Sequence, residues 1–233
     1  MMTAEELRQA QKDIQDEIFR CAKEYKKGDN LTRNDIQPIY DGVYDVEKYL
    51  ASSPRIMWIL KEPYDDFTPE GKPTGGGWPI YDCFTIEKAW KCKTWHRVIY
   101  ATYGIINHCK YDKNKRDLNM AEVLQQIAYI NVSKMPAFSQ SVDRDIQSKY
   151  RIWRLLLIKQ ISTYDPQILI FGNTFKYFKS DLIGNNTEPQ KRIDGVIDIY
   201  KKEEKLFLDT YHPQSRLNEE LYVNTIIENC INI

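Results

Sequence analysis

Residues 54–65 read Pro54-Arg55-Ile56-Met57-Trp58-Ile59-Leu60-Lys61-Glu62-Pro63-Tyr64-Asp65, and the five apolar residues at the centre decide the fold. They do not alternate with polar residues, and prolines bracket them. A run this short and unbroken suits a strand covered on both faces, as in a parallel sheet. Three later runs share that character: Ile127-Ala128-Tyr129-Ile130, Ile168-Leu169-Ile170-Phe171 and Leu206-Phe207-Leu208. Stretches of helical spacing separate them, the clearest being Ile146, Tyr150, Trp153, Leu157 and Ile161. A final one carries Leu217, Leu221 and Ile227. Strand alternating with helix predicts a three-layer α/β/α sandwich around a central, mainly parallel four-stranded sheet. Val196 to Tyr200, followed by a Lys-Lys-Glu-Glu turn, predicts a hairpin arm before the fourth core strand.

Upstream, Thr3 and Glu6 have the spacing of a capping box. Leu7, Ala10, Ile14, Ile18, Cys21 and Tyr25 then recur at steps of three and four, which predicts an amphipathic helix ending near Gly28. Residues 29–42 are turn-rich, and Val46 to Ala51 suits a short helix. No repeat or linker divides the chain. We therefore expect one domain over residues 1–233, with a helical region 1–53 ahead of an α/β core 54–233.

Bulk properties narrow the partners. Lys plus Arg and Asp plus Glu both number 33, so the net charge is zero and contact with a polyanion needs a local basic patch. No window of about eighteen apolar residues is present, so no membrane span and no membrane partner are expected. The first residues lack the basic and apolar segments of a signal peptide. Five cysteines, an odd number at irregular spacing, fit free thiols and a cytoplasmic location better than a disulfide framework.

In open α/β sheets, ligands bind beyond the carboxyl ends of the strands. The first run leads into Lys61-Glu62-Pro63-Tyr64-Asp65, and the second into Asn131-Val132-Ser133-Lys134-Met135-Pro136. The third leads into Gly172-Asn173, and the fourth into Asp209-Thr210-Tyr211-His212-Pro213-Gln214-Ser215-Arg216. A carboxylate, an amide and an imidazole are thus expected in one cleft, able to perform acid–base or electrostatic catalysis or to recognise a polar ligand. Each also has a plainer role: Glu62 as a cap or surface group, Asn131 as a turn cap, His212 as a structural histidine. The loop from Tyr64 to Pro79 contains Gly75-Gly76-Gly77-Trp78 and reads either as a rim over the cleft or as a plain surface loop.

These segments, in this order over residues 55 to 230, resemble the uracil-DNA glycosylase superfamily. That family has a first-strand motif G-[QE]-x-P-[YG], a second strand ending in Asn, in some branches within N-x-V-K-C-x-P, a third ending in Gly, and a fourth followed by His-Pro-Ser. The counterparts are Leu60 to Asp65, Asn131 to Pro136, Pro166 to Asn173 and His212-Pro213-Gln214-Ser215. Leu60 stands where the family has Gly, Lys61 where it has Gln or Glu, and Gln214 where it has Ser. Glu62 falls where one branch has a catalytic Asp. Met135 replaces the Cys of the iron–sulfur branches, and Cys83, Cys92 and Cys109 lack ligand-like spacing, so no cluster is expected. Cys92, His96, His108 and Cys109 match no known zinc module. No cofactor or metal is expected.

The resemblance implies hydrolysis of an N-glycosidic bond at uracil or another altered base in single- or double-stranded DNA. Glu62 would orient water and stabilise the sugar cation, and His212 would donate to the departing base. Asn131 would read the base edge, and Trp78 or Tyr81, less so Phe67, would stack on the flipped base. Lys61, Pro63, Tyr64, Gln214 and Ser215 would line the site. Lys134, Arg216 and the stretch with Lys91, Lys93, His96 and Arg97 would meet phosphates. The alternative is an inactive relative that binds a nucleobase or nucleic acid. An unrelated α/β hydrolase is a third option, without a G-x-S-x-G elbow, P-loop or dinucleotide fingerprint to support it.

Overall fold

The computed structural model describes residues 2–28, 37–61, 77, 79–80, 85–137 and 143–231. Helix α1 spans Ala4–Gly28, strand β1 Gly42–Val43, helix α2 Val46–Ala51 and strand β2 Ile56–Leu60. Helices α3 (Ile86–Lys91) and α4 (Lys93–Ile106) follow, then two 3-10 segments, Lys113–Lys115 and Leu118–Gln126. Next come β3 (Ala128–Asn131), α5 (Asp143–Tyr164), β4 (Ile168–Gly172), α6 (Phe175–Leu182), β5 (Lys191–Ile193), β6 (Ile197–Lys202), β7 (Lys205–Thr210) and α7 (Glu219–Cys230).

All four predicted core strands form, and they lie parallel as β3-β2-β4-β7. The sheet itself is larger than expected and mixed. It has seven strands in the order β1-β3-β2-β4-β7-β6-β5, with β1 antiparallel on one edge and, on the other, the predicted hairpin arm β6 antiparallel to β7 and extended by β5. Sequence pattern missed β1 and β5 because two or three residues are too few to show a period. Their pairing comes from neighbours distant in sequence.

Successive strand residues point to opposite faces, and each face carries its own core. Ile56, Trp58, Leu60, Ile170 and Leu208 pack beneath α3, α4, the longer 3-10 segment and α7. Met57, Ile59, Ile130, Leu169, Phe171 and Phe207 pack against α1, α2, α5 and α6. With both faces covered, the strands can be apolar throughout, which is why the decisive run does not alternate. Each fully buried aliphatic side chain of this kind contributes roughly 1.5–3 kcal/mol. Trp58 keeps its one donor satisfied by giving Nε1–H to Thr102 Oγ1 at 3.1 Å.

The N-terminal region belongs to this same body. The capping box forms, with Thr3 N–H donating to Glu6 at 2.7 Å and Glu6 N–H returning to Thr3 Oγ1 at 3.3 Å. One turn later, Gln11 acts as an artificial strand for the sheet edge. Its amide accepts from Val43 N–H at 2.8 Å and donates to Val43 O at 3.0 Å, so β1 is not left open to pair with another chain.

Candidate functional site at the strand ends

After β2 the chain moves to β3 on one side. After β4 it moves toward β7 on the other, so the connections diverge between adjacent strands β2 and β4. At such a divergence open α/β sheets commonly place a ligand crevice; here Lys61 follows β2, and Gly172 closes β4 with Asn173 next in the chain. Just beyond β7, His212 lies alongside. Gly172 permits this approach, because a Cβ there would stand 2.4 Å from Leu60 Cδ2, 3.1 Å from Pro213 Cδ and 3.6 Å from His212 Cα.

His212 is half-buried, and its electronic state follows from its contact and its surroundings. The Nδ1 atom accepts a hydrogen bond from the Gln214 backbone N–H at 3.2 Å. A ring nitrogen that accepts carries no proton, so the neutral imidazole holds its hydrogen on Nε2. Burial pushes its pKa down to about 4, with the positive charge of Lys61 adding to the effect. The ring is therefore a neutral donor at physiological pH, and among the described residues none accepts from Nε2.

Lys61, whose side chain is 18% exposed, directly follows β2 and faces Asp143 at 3.5 Å. Asp143 also accepts from Lys176 Nζ at 2.5 Å and Tyr177 Oη at 3.1 Å. These contacts, with Lys176 the largest, hold its carboxyl below the usual range.

Asn131 and Lys134 sit at the expected strand end, but they point inward. Both side chains are fully buried. Asn131 Oδ1 accepts from Tyr129 Oη at 2.8 Å, while its backbone N–H donates to Asp41 at 2.6 Å. The Lys134 ammonium divides its donors between the two Asp41 oxygens and Asn131 O, all at 2.8 Å, and Gln160 Nε2 donates to Asp41 at 2.9 Å. Burial draws the Lys134 pKa down, and Asp41 opposes that. This placement corrects the expected phosphate contact: an ammonium with no exposed surface and all donors engaged belongs to the framework.

The remaining positions divide. Gln214 is exposed and donates to Thr94 Oγ1 at 2.6 Å, and Ser215 Oγ accepts from Arg97 at 3.2 Å. Arg216, Lys91 and Lys93 are exposed. His96 Nε2 lies 2.7 Å from Trp90 O, and among the described residues no three His, Cys, Asp or Glu side chains converge as metal ligands. Glu62, Pro63, Tyr64, Phe67, Trp78 and Tyr81 lie outside the described residues. Of the glycine run, Gly77 is described. It packs so tightly on the backbone of Gln37 and Pro38 that a Cβ would stand 2.1 Å from their carbonyl oxygens.

Sequence reasoning missed Asp41 and Gln160, and it named Asp209 at a strand end without giving it a role. Asp41 sits in Tyr40-Asp41-Gly42, which reads as a turn and carries no signal of burial. Gln160 did carry one, since it falls one position before Ile161 on the buried side of α5, a polar residue among apolar neighbours. Asp209 lies directly across from Asp198 on β6 and lines a cleft of about 380 Å³ with Asn173, Arg192 and Tyr211. Burial, then the facing charge of Asp198, pushes its carboxyl up to about 6.

The fold defines an α/β protein with a mixed seven-stranded sheet. Compared with protein-family models and with curated proteins, the chain matches none. Among the described residues, no helix is long and apolar enough to cross a membrane.

Proposed function

We propose that the protein is a glycosylase-like hydrolase that cleaves the N-glycosidic bond of uracil or another altered base in DNA. One observation carries the reading: His212 Nδ1 accepts from the Gln214 N–H, which leaves Nε2–H as the donor at the carboxyl edge of the sheet. Breaking the sugar–base bond sends the bonding electrons to the base, and negative charge grows on a pyrimidine oxygen. A fixed neutral donor at that point stabilises the charge without itself needing to be protonated. Lys61 adds positive potential from the neighbouring strand end. Glu62, next in the chain, is assigned the carboxylate role: it orients water toward the sugar carbon and takes the proton as the new C–O bond forms. We assign Asn131 a supporting role beneath the strand end, because its amide is already engaged by Tyr129 and Asp41.

The test is release of free base from a uracil-containing oligonucleotide, single- and double-stranded. His212→Ala and Glu62→Ala should each lower the rate on the order of a hundredfold or more. No release by well-folded protein from uracil or a panel of altered bases would overturn the catalytic reading.

The enclosure of Asn131 and the buried side chain of Leu60 against Gly172 favour a second reading, an inactive relative that binds a nucleobase or nucleic acid. It predicts binding that weakens steeply with salt and no turnover.

A further inference from the structure

Arg97 belongs to the basic stretch that suggested phosphate contacts, yet its guanidinium is spent inside the molecule. Nη1 donates to Ser215 O at 3.1 Å and to Ser215 Oγ at 3.2 Å, and Nη2 donates to Leu217 O at 2.6 Å. The guanidinium carbon lies over the Tyr222 ring, 5.2 Å from its centroid, and Tyr222 Oη donates to Tyr211 O at 2.9 Å. Three residues earlier on the same helix, Thr94 Oγ1 accepts from Gln214 Nε2 at 2.6 Å. Apart from Tyr222 itself, the residues contacted (Tyr211, Gln214, Ser215 and Leu217) all fall within five residues of His212.

They converge on one tight turn. Ser215 N–H donates to His212 O at 2.8 Å, closing the four residues His212 to Ser215, with Pro213 limiting the backbone at the second position. Inside that turn, Gln214 N–H points at His212 Nδ1. The ring's tautomer is therefore set by where the Gln214 amide lies, and that in turn depends on what holds Ser215 and Leu217.

We infer that Arg97 is a positioning residue that selects the Nε2–H tautomer of His212 by clamping the turn from which the imidazole projects. This rests on the donor role given to His212 above. The planar fork of Arg97 matches the task, because its fixed donors fasten the Ser215 and Leu217 carbonyls at once. If the turn loosened, Nδ1 would compete for the proton and Nε2 would become an acceptor. An acceptor facing a departing anionic base repels it, so the active fraction would fall with the population of the correct tautomer.

The experiment reads the tautomer directly. Protein labelled with nitrogen-15 histidine is studied near pH 7 by long-range proton–nitrogen correlation, and His212→Gln identifies the His212 signals among the three histidines. The parent should show one tautomer, protonated at Nε2. Arg97→Gln should show a mixture, and its rate of base release at saturation should fall about tenfold while KM changes much less. Arg97→Lys, which keeps a cation near Tyr222, should fall between. A role confined to stability would lower the melting temperature and leave the tautomer untouched. Folded Arg97→Gln with His212 still purely Nε2–H would overturn the inference. Should that variant not fold, an unchanged tautomer in Arg97→Lys overturns it equally. If the tautomer shifts as expected but neither parent nor variant releases base, the clamp stands and the glycosylase reading falls.

Discussion

The Nζ of Lys134 lies 2.8 Å from both carboxylate oxygens of Asp41, and neither side chain has any exposed surface. The pair joins the segment before β1 to the loop after β3, while Gln160 fastens it to α5. Bringing two charges out of water costs several kcal/mol each, and their attraction compensates only when the geometry is good and the other lone pairs are satisfied. Here Asp41 gathers donors from Lys134, Asn131 and Gln160.

Lys134→Met should therefore destabilise the protein by about 3–5 kcal/mol, since it strands a buried carboxylate. Combining it with Asp41→Leu should cost clearly less than the sum of the single changes, because each removes the other's unpaired charge. Urea unfolding of the parent, two singles and double measures this. Additive costs would show that the pair is not coupled.

The imidazole of His212 should make the folded state acid-sensitive. Its pKa is pushed from 6.5 to about 4. Between those values the unfolded chain binds more protons, so stability falls as pH drops from about 6.5 toward 4, by roughly 3 kcal/mol. Below about 4 this contribution is lost and the dependence levels off. His212→Gln should be free of that slope, which urea midpoints at several pH values would reveal.

Asp209 should act in the opposite sense. Its carboxyl is raised from 3.8 to about 6, so the folded state holds its proton longer, and ionisation costs stability as pH rises through that interval. By pH 7 the loss is roughly 3 kcal/mol. Asp209→Asn should stabilise the protein by about 1–3 kcal/mol at pH 7, with the gain vanishing near pH 4. Equal stability of variant and parent at pH 7 would refute this.

Gly172→Ala should disturb both core and site. Its methyl would meet the Leu60 side chain at 2.4 Å and Pro213 at 3.1 Å, and overpacking of this kind costs about 1–3 kcal/mol. Leu60→Ala in the same chain should relieve most of the strain. If Gly172→Ala alone matches the parent in thermal melting and base release, the close approach of β2, β4 and the His212 turn is looser than described.

Much of the scaffold was legible from residue order alone. Unbroken apolar runs marked the four central strands because both faces of each are covered, and a period of three to four marked α1 and α5. The Thr3–Glu6 box set the first helix start for a purely local reason, two reciprocal hydrogen bonds across one turn. Chain order also put Lys61, Asn131, Gly172 and His212 at strand ends, because a strand's polar continuation must leave the core.

Tertiary structure decided the rest. A polar residue after a strand can point into the crevice or back into the protein, and only its neighbours choose. Lys134 turned inward because Asp41, more than ninety positions away, awaited it there, and Arg97 turned to the His212 turn because three acceptors converge on it. The edge strands β1 and β5 exist only as partners of β3 and β6. Local pattern records burial and period, whereas the partner of a buried charge is set by contacts between segments that sequence keeps apart.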